Sequence, residues 1–286
     1  MHVPDKHPQA PHLMPLARWD RRLFDVGQSV PLIGPCLMVL LGTLVFRTTD
    51  VDLLVSGLFH DTTGRGFTWA DHPLVVGLYY WGLVPAWLLG IGSLAVLASA
   101  ACQGVSAGGR RGAVFLLALL VVGPILLVNV AYKDNWGRPR PDQTIHFGGT
   151  QPFLRVLDKG TTGDHYSFPS GHAAAGFSLL APAFLLYRRR PRLAGVCLAL
   201  GLMCGLVVGL GRVVQGRHFA SDVFWAAAVI YFTCCALDYL VLAKIPPSAQ
   251  QPPRPSLGDR QLAPGTSGRK RRPPAAVPAK PRREAA

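Results

Sequence analysis

The chain contains thirty consecutive residues, Pro73–Cys102, without a single charged side chain. A bilayer core about 30 Å thick is crossed by roughly 20 mostly apolar helical residues. The lower limit for such a helix is about 17 residues. Five further apolar stretches approach or exceed this limit: Val30–Phe46, Gly112–Tyr132, Ala173–Tyr187, Leu193–Gly211 and Val223–Ala243. The pattern predicts an all-α fold, an integral membrane bundle of six helices, and disfavours a soluble bundle of buried helices.

Composition supports the same class. Of the 286 residues, 50% are hydrophobic and 15% are charged, whereas a soluble domain carries about 25% charged residues. The formal charge of +14 would suit a nucleic-acid binder, but the mean hydropathy of +0.28 does not. We therefore expect no nucleic-acid partner. All six cysteines lie in apolar stretches, which favours small buried residues over disulfides or a zinc site.

The basic residues predict an orientation for the spans. Most of the 29 Lys and Arg residues fall in the two termini and in the loops on the same side of the membrane. Such loops are usually cytoplasmic. We therefore expect both termini in the cytoplasm and the opposite loops on the non-cytoplasmic side.

Three regions follow from this division of the chain. We expect residues 1–29 to form a cytoplasmic N-terminal segment with an interfacial helix and without a removable signal peptide. Residues 30–244 form the six-span domain. Residues 245–286 are Pro-rich and basic, so we predict a disordered cytoplasmic tail attracted to anionic lipid. The sequence does not indicate an oligomeric state.

Three polar blocks interrupt the apolar pattern, and the predicted topology brings all three to the non-cytoplasmic face. They are Lys133–Pro141, Ser167–His172 and Arg212–Asp222. Lys133, Arg140 and Arg212 would repel one another in a small site unless an anion lay among them. Two oxygens of a phosphate can accept parallel hydrogen bonds from one guanidinium group, and a Lys ammonium adds a positive point charge beside it. Gly171 precedes a helix, where backbone N–H groups could also face the anion.

The histidines in these blocks predict phosphoryl transfer. His218 and Asp222 are four residues apart and share one helix face, so the carboxylate can fix the imidazole tautomer. The free ring nitrogen can then attack phosphorus, while His172 protonates the leaving oxygen. His172, His218 and Asp222 could nominally ligate a metal, but the nearby cations oppose a divalent ion. We predict a site without metal or other cofactor.

Taken together, the blocks resemble the type 2 phosphatidic acid phosphatase superfamily, whose signature is K-x6-R-P, P-S-G-H and S-R-x5-H-x3-D. The corresponding segments here are Lys133-x6-Arg140-Pro141, Pro169-Ser170-Gly171-His172 and Arg212-x5-His218-x3-Asp222. Gly211 stands where the family often has Ser. Trp136–Pro141 and Phe147–Thr150 are similar to bacterial lipid A phosphatases within the family. This similarity implies a bacterial inner membrane, with the site on its periplasmic face.

The resemblance implies a role for each matching residue. It implies a six-helix core with an outer-leaflet site, and His218 as nucleophile, Asp222 as its orienting partner and His172 as general acid. Phosphate would be bound by the remaining motif residues, Lys133, Arg140, Ser170, Gly171 and Arg212.

The leading hypothesis is a lipid phosphatase with a phosphohistidine intermediate. Its substrate would be lipid A, a polyprenyl pyrophosphate or a glycerolipid phosphate, and phosphate would leave on the outer face. The alternatives are a phosphotransferase with a polyprenyl pyrophosphate donor and a non-catalytic lipid-phosphate binder. A haloperoxidase is chemically close, because vanadate mimics the phosphate intermediate, but the membrane architecture disfavours it.

Overall fold

A computed structural model describes residues 31–63, 66–102, 104–161 and 166–242. The described chain is predominantly helical, with one two-stranded antiparallel hairpin of β1 (His60–Asp61) and β2 (Gly66–Phe67). The α-helices are α1 (Ile33–Thr48), α2 (Val51–Gly57), α3 (Pro73–Trp81), α4 (Val84–Cys102), α5 (Ala107–Leu120), α6 (Asp134–Trp136), α7 (Gly171–Phe177), α8 (Ala181–Leu186), α9 (Pro191–Val214) and α10 (Ala220–Leu237).

Shorter helical segments extend or connect these elements. A π-helix over Val121–Lys133 continues α5, and a second over Asp238–Leu242 continues α10. Turns of 3₁₀ helix lie at Pro141–Gln143, Ile145–Phe147 and Ser178–Leu180. The last of these joins α7 to α8, so that the two form one apolar helical segment, Gly171–Leu186.

Four helical segments of the described chain are long and apolar enough to cross a membrane: Pro73–Ala100, Ala107–Gln143, Pro191–Val214 and Ala220–Leu242. They correspond to four of the predicted spans and confirm a helical membrane protein. The other two predicted spans are the shorter apolar helices Ile33–Thr48 and Gly171–Leu186. At 1.5 Å per residue the first is about 24 Å long, less than the hydrocarbon core. The count of six therefore stays a prediction.

The outer faces of these helices carry large apolar side chains. Leu37, Trp87, Leu94 and Leu206 are each more than half exposed. Exposed apolar patches of this extent mark a surface that lies against another apolar phase. Lipid is that phase for a helical membrane protein.

The buried core surrounds α7. Phe177 and Ala174 of α7 pack among buried side chains of the neighbouring helices, including Leu119 and Ile230. Gly205 of α9 lies where any side chain would overlap the Phe177 ring. This close packing holds the end of α7 against α9, and the second polar block ends in the first turn of the same helix.

Predictions for residues 1–29 and 245–286, the interfacial helix and the disordered tail, fall outside the described residues.

Candidate active site

Backbone hydrogen bonds join the three polar blocks at one place. The second block is bonded to the first and to the third, and Asp142, the residue after the first block, is bonded to the third. The bonds run from Ser167 N–H to the Arg138 carbonyl, from Ser170 N–H to the Asp222 carbonyl, and from Asp142 N–H to the Gly216 carbonyl, each 3.1 Å long. The structure thus brings the three predicted motifs together.

His218 is almost fully buried, with 2% of its surface exposed. Its Nδ1 lies 2.7 Å from the carbonyl oxygen of Ser167. Because a carbonyl oxygen only accepts, Nδ1 must carry the hydrogen, and the lone pair is on Nε2. Asp222 Oδ2 lies 3.6 Å from the same nitrogen, beyond hydrogen-bond length. The Ser167 carbonyl therefore fixes the tautomer of His218, a role that the sequence predicted for Asp222. Asp222 contributes its negative charge.

Burial lowers the pKa of His218 from 6.5 to about 4. The negative charge of Asp222 opposes this shift, while the positive charges of Lys133 and Arg212 add to it. Desolvation outweighs the carboxylate because the imidazolium ion loses its water on burial. The ring is thus neutral at physiological pH, the state that a nucleophile requires.

Asp222 is held by bonds to both of its carboxylate oxygens. Ser167 Oγ donates to Oδ2 at 2.6 Å, and the Phe219 N–H donates to the same oxygen at 2.8 Å. Arg138 Nη1 donates to Oδ1 at 2.6 Å. A carboxylate with this many donors is fixed in position and stays ionised. This explains how a fully buried Asp can stand beside His218.

Arg138 was not predicted as a site residue, although it lies in the first block. No part of its surface is exposed, and its guanidinium also reaches Asp52 Oδ2 at 2.8 Å and Ser221 Oγ at 2.7 Å. Asp52, on α2, carries no motif that sequence analysis could recognise. Arg138 thus contacts Asp222 on the side away from His218, and Asp52 contacts Arg138 in turn.

Lys133 lies against the start of α7. Its Nζ is 3.5 Å from Asn129 Oδ1. A Cβ on Gly171 would stand 2.9 Å from that oxygen and 3.4 Å from Nζ, so only glycine leaves room for both groups. Ser170 caps α7 by accepting a hydrogen bond from Ala173 N–H. The structure therefore places Lys133, Ser170 and Gly171 side by side.

Arg140 and Arg212 have donors that no protein group satisfies. Within the described part of the chain, the buried Nε atoms of both guanidinium groups have no hydrogen-bond partner. Arg212 is bonded at Nη1 to Gln215, whose own Nε2 donates to the Ala70 carbonyl at 3.2 Å. A buried donor without an acceptor is costly, and an anion between the two guanidinium groups would supply the acceptor.

Tyr79 of α3 lies between two predicted site residues. Its ring stacks on His172 with centroids 4.8 Å apart and an angle of 26°. The Arg212 guanidinium lies 4.8 Å from the centroid of the same ring. Gly211 allows this approach, since a Cβ there would come within 3.2 Å of Leu78. Tyr79 lies inside an apolar stretch that gave no functional signal.

No group of three His, Cys, Asp or Glu side chains suited to a metal ion occurs in residues 31–63, 66–102, 104–161 and 166–242. Independence from metal remains a prediction.

Comparison with known proteins gives the family. Residues 112–246 match the family model of the PAP2 superfamily, the type 2 phosphatidic acid phosphatases. The chain is 29% identical over 212 residues to a lipid A 4'-phosphatase of Francisella tularensis subsp. novicida, covering 73% of this chain and 93% of that protein. It is 37% identical over 124 residues to a lipid A 4'-phosphatase of Rhizobium etli, covering 41% of this chain and 45% of that one.

One solved structure is similar: a transmembrane PAP2-type phosphatidylglycerolphosphate phosphatase from Bacillus subtilis. Its TM-score is 0.42 and its sequence identity is 18%, covering 73% of this chain and 96% of that chain.

The matched segment contains all three blocks, and the match to the Francisella relative extends well beyond it. The predicted superfamily and the predicted phosphatase activity are both confirmed. Residues 112–246 belong to the PAP2 superfamily, and the protein is a membrane lipid phosphatase.

Proposed function

We propose that the protein removes a phosphate monoester from the headgroup of a lipid A-type glycolipid through a covalent phosphohistidine on His218. The observation that carries this proposal is the tautomer of His218. Its Nδ1 hydrogen is committed to the Ser167 carbonyl at 2.7 Å, and Nε2 keeps its lone pair. The charge of Arg212 acts on this ring, and the buried Nε atoms of Arg140 and Arg212 have no partner among the described residues.

In the first step, His218 Nε2 bonds to the phosphorus atom and the bond between phosphorus and the lipid oxygen breaks. The negative charge of the bound phosphate keeps His172 protonated, and His172 donates this proton to that oxygen, so that the lipid leaves as an alcohol. The phosphoryl group stays on Nε2, and the ring becomes cationic because Nδ1 retains its hydrogen. The charge of Asp222, 3.6 Å from Nδ1, stabilises that cation.

In the second step, water attacks the phosphohistidine. His172, now neutral, accepts a proton from the water as its oxygen bonds to phosphorus. The bond between Nε2 and phosphorus breaks and inorganic phosphate leaves. His218 returns to its neutral form, and His172 is again ready to act as an acid.

Lys133, Arg140 and Arg212 stabilise the transferring phosphoryl group. Charge spreads over its three equatorial oxygens in the transition state, and preorganised donors there lower the barrier. The buried Nε atoms of Arg140 and Arg212 are such donors. Ser170 and Gly171 contribute the start of α7, with Lys133 beside it.

The substrate class rests on the relatives. Both reported sequence relatives are named lipid A 4'-phosphatases, and the Francisella protein matches over 93% of its length. A site at helix ends suits a substrate whose acyl chains remain in lipid while its phosphate reaches the cations. The distribution of Lys and Arg supports six spans, cytoplasmic termini and a periplasmic site.

The test is phosphate release from purified protein in detergent, with lipid A, a polyprenyl pyrophosphate and a glycerolipid phosphate as parallel substrates. Each substrate is assayed with and without a chelator. We expect the highest kcat/KM on lipid A and no release by His218→Ala. Release from the other lipids alone would overturn the substrate class, and loss of activity in chelator would overturn the metal-free mechanism.

A further inference from the structure

Arg138 is shared between two buried carboxylates. It donates to Asp222 Oδ1 at 2.6 Å through Nη1 and to Asp52 Oδ2 at 2.8 Å through Nη2. Asp52 is 1% exposed, and Arg138 and Asp222 are not exposed at all. The three charged groups therefore interact without screening by solvent.

Ser221 closes the arrangement into a ring. Its backbone N–H donates to Asp52 Oδ1 at 2.9 Å, and its hydroxyl donates to Asp52 Oδ2 while accepting from Arg138. Both Asp52 oxygens are thereby used, and Ser221 directly precedes Asp222 in α10. The position of Asp52 is consequently tied to the carboxylate that faces His218.

Asp52 lies outside residues 112–246, the segment that matches the superfamily. It belongs to α2, which follows the first apolar helix. A residue beyond the shared segment thus reaches the centre of the site.

Charge counting gives this arrangement a consequence for the reaction. Arg138 and Asp222 alone would form a neutral pair, whose guanidinium offsets the carboxylate charge felt by His218. With Asp52 the buried group carries one net negative charge. The His218 ring becomes positive when Nε2 bonds to phosphorus, so this net charge favours the transition state over the ground state.

Stability by itself is a weak reason for such a group. Desolvation of buried ion pairs is costly, and well-packed apolar residues often replace them without loss. The ring instead supplies two things that apolar residues cannot supply, a fixed Asp222 and an uncompensated negative charge next to it.

We propose that Asp52 is a positioning residue for phosphoryl transfer, which holds Asp222 through Arg138 and Ser221 and leaves the carboxylate charge available to His218. The proposal rests on the proposed phosphohistidine mechanism. Asp52 does not touch the substrate, so it should affect the chemical step and leave phosphate binding alone.

The test compares Asp52→Asn with Asp50→Asn, two residues away. Asp50 also pairs with an arginine, Arg155, at 2.7 Å, but the side chain of Asp50 is 62% exposed. Both substitutions remove one carboxylate from an Asp–Arg pair, and only the first removes a buried charge behind the site. Wild type and His218→Ala are measured alongside.

The measurements are kcat, KM and the inhibition constants of vanadate and phosphate. Vanadate imitates the five-coordinate transition state by bonding to the nucleophile, whereas phosphate reports on the cations alone. For Asp52→Asn we expect kcat to fall by about 10- to 100-fold, the range seen when a functional histidine at a metal site loses an outer partner. Its KM and phosphate inhibition should change by less than about twofold, because groups that bind ground state and product are untouched. Vanadate inhibition should weaken in parallel with kcat, and Asp50→Asn should match wild type.

A folded Asp52→Asn protein with wild-type kcat and an unchanged ratio of vanadate to phosphate inhibition would overturn the proposal. If Asp52→Asn does not fold, Ser221→Ala decides, because it opens the ring without removing a charge. A lower vanadate-to-phosphate selectivity supports the proposal, and unchanged selectivity overturns it. Inactivity of wild type itself would instead contradict the proposed function.

Discussion

The two sides of the active site differ in how completely their polar groups are satisfied. Behind His218, the buried Arg138 guanidinium reaches two carboxylates, a hydroxyl and, through Nε at 3.0 Å, the Leu154 carbonyl. On the other side, Arg140 and Arg212 each keep a buried Nε without a partner in the described chain. One side is complete within the protein, and the other side is completed by an anion. The first positions the nucleophile, and the second recognises the phosphoryl group.

Removal of an arginine should therefore destabilise the protein on the first side and leave its stability unchanged on the second. The largest effect is expected for Arg138→Gln, which leaves Asp52 and Asp222 buried without their shared cation. Loss of one partner of a buried ion pair costs about 3–5 kcal/mol. We expect a large drop in thermal stability in detergent together with loss of phosphatase activity. The control is Arg110→Gln, on an exposed turn of α5, and an Arg138→Gln protein as stable as this control would contradict the comparison.

The second effect separates activity from stability. Arg212→Gln removes a 9%-exposed cation that has an unsatisfied donor and like-charged neighbours. Loss of one charge-stabilising donor costs about 10²–10³ in kcat, but we expect no decrease in the melting temperature without ligand. Added phosphate should stabilise wild type by about 2.7 kcal/mol at 100 times its Kd and leave Arg212→Gln nearly unchanged. A variant that melts well below wild type would show that Arg212 is part of the completed side.

A smaller effect is expected at Tyr79, which connects the phosphate side to His172. Tyr79→Ala removes the surface on which His172 and Arg212 rest, and we expect kcat/KM to fall about tenfold, equivalent to one cation–π contact and one ring stack. Tyr79→Phe keeps both contacts and should remain within about threefold of wild type. Equal losses in the two variants would assign the effect to the hydroxyl group instead.

The smallest expected effect concerns the titration of His218, which we expect to be absent between pH 8 and pH 5. Because burial holds the pKa of His218 at about 4, the folded protein takes up no proton there as the pH falls from 8 to 5. An unfolded chain would take one up near 6.5, so this residue lowers the free energy of unfolding as the pH falls from about 6.5 towards 4. NMR of histidine-labelled protein, with His218→Gln for assignment, checks this. A His218 midpoint near 6.5 would contradict the neutral, desolvated nucleophile.

The catalytic and phosphate-binding residues could be predicted from the sequence, and the groups that hold them in position could not. Lys133, Arg140, His172, Arg212, His218 and Asp222 lie in short motifs at the ends of apolar stretches, and both features are local properties of the sequence. Asp52 and Tyr79 reach the site only through helix packing. Asp52 lies 170 residues before Asp222, and Tyr79 lies 93 residues before His172. The Ser167 carbonyl carries no side-chain signal at all, although it fixes the tautomer of His218.

Span lengths show a second limit. Hydropathy located every apolar segment, but the segment Gly171–Leu186 is interrupted by 3₁₀ geometry at Ser178–Leu180 and ends before the predicted boundary at Tyr187. Phe177, directly before this interruption, packs against Gly205 of α9, and the backbone of Leu179 and Leu180 within it packs against Gly201. Such tertiary packing cannot be read from the hydropathy of one segment.

The central claim is that His218 is the nucleophile, and rapid quenching tests it most directly. Wild type and His218→Ala are mixed with lipid A labelled at the phosphate and quenched in alkali, in which phosphohistidine survives, and the labelled protein is digested and sequenced. The account predicts label on the peptide that contains His218 in wild type, no label in His218→Ala, and loss of the label when the quenched protein is acidified. Phosphate release by wild type with no trapped label, or label on a peptide that contains His172, would contradict it.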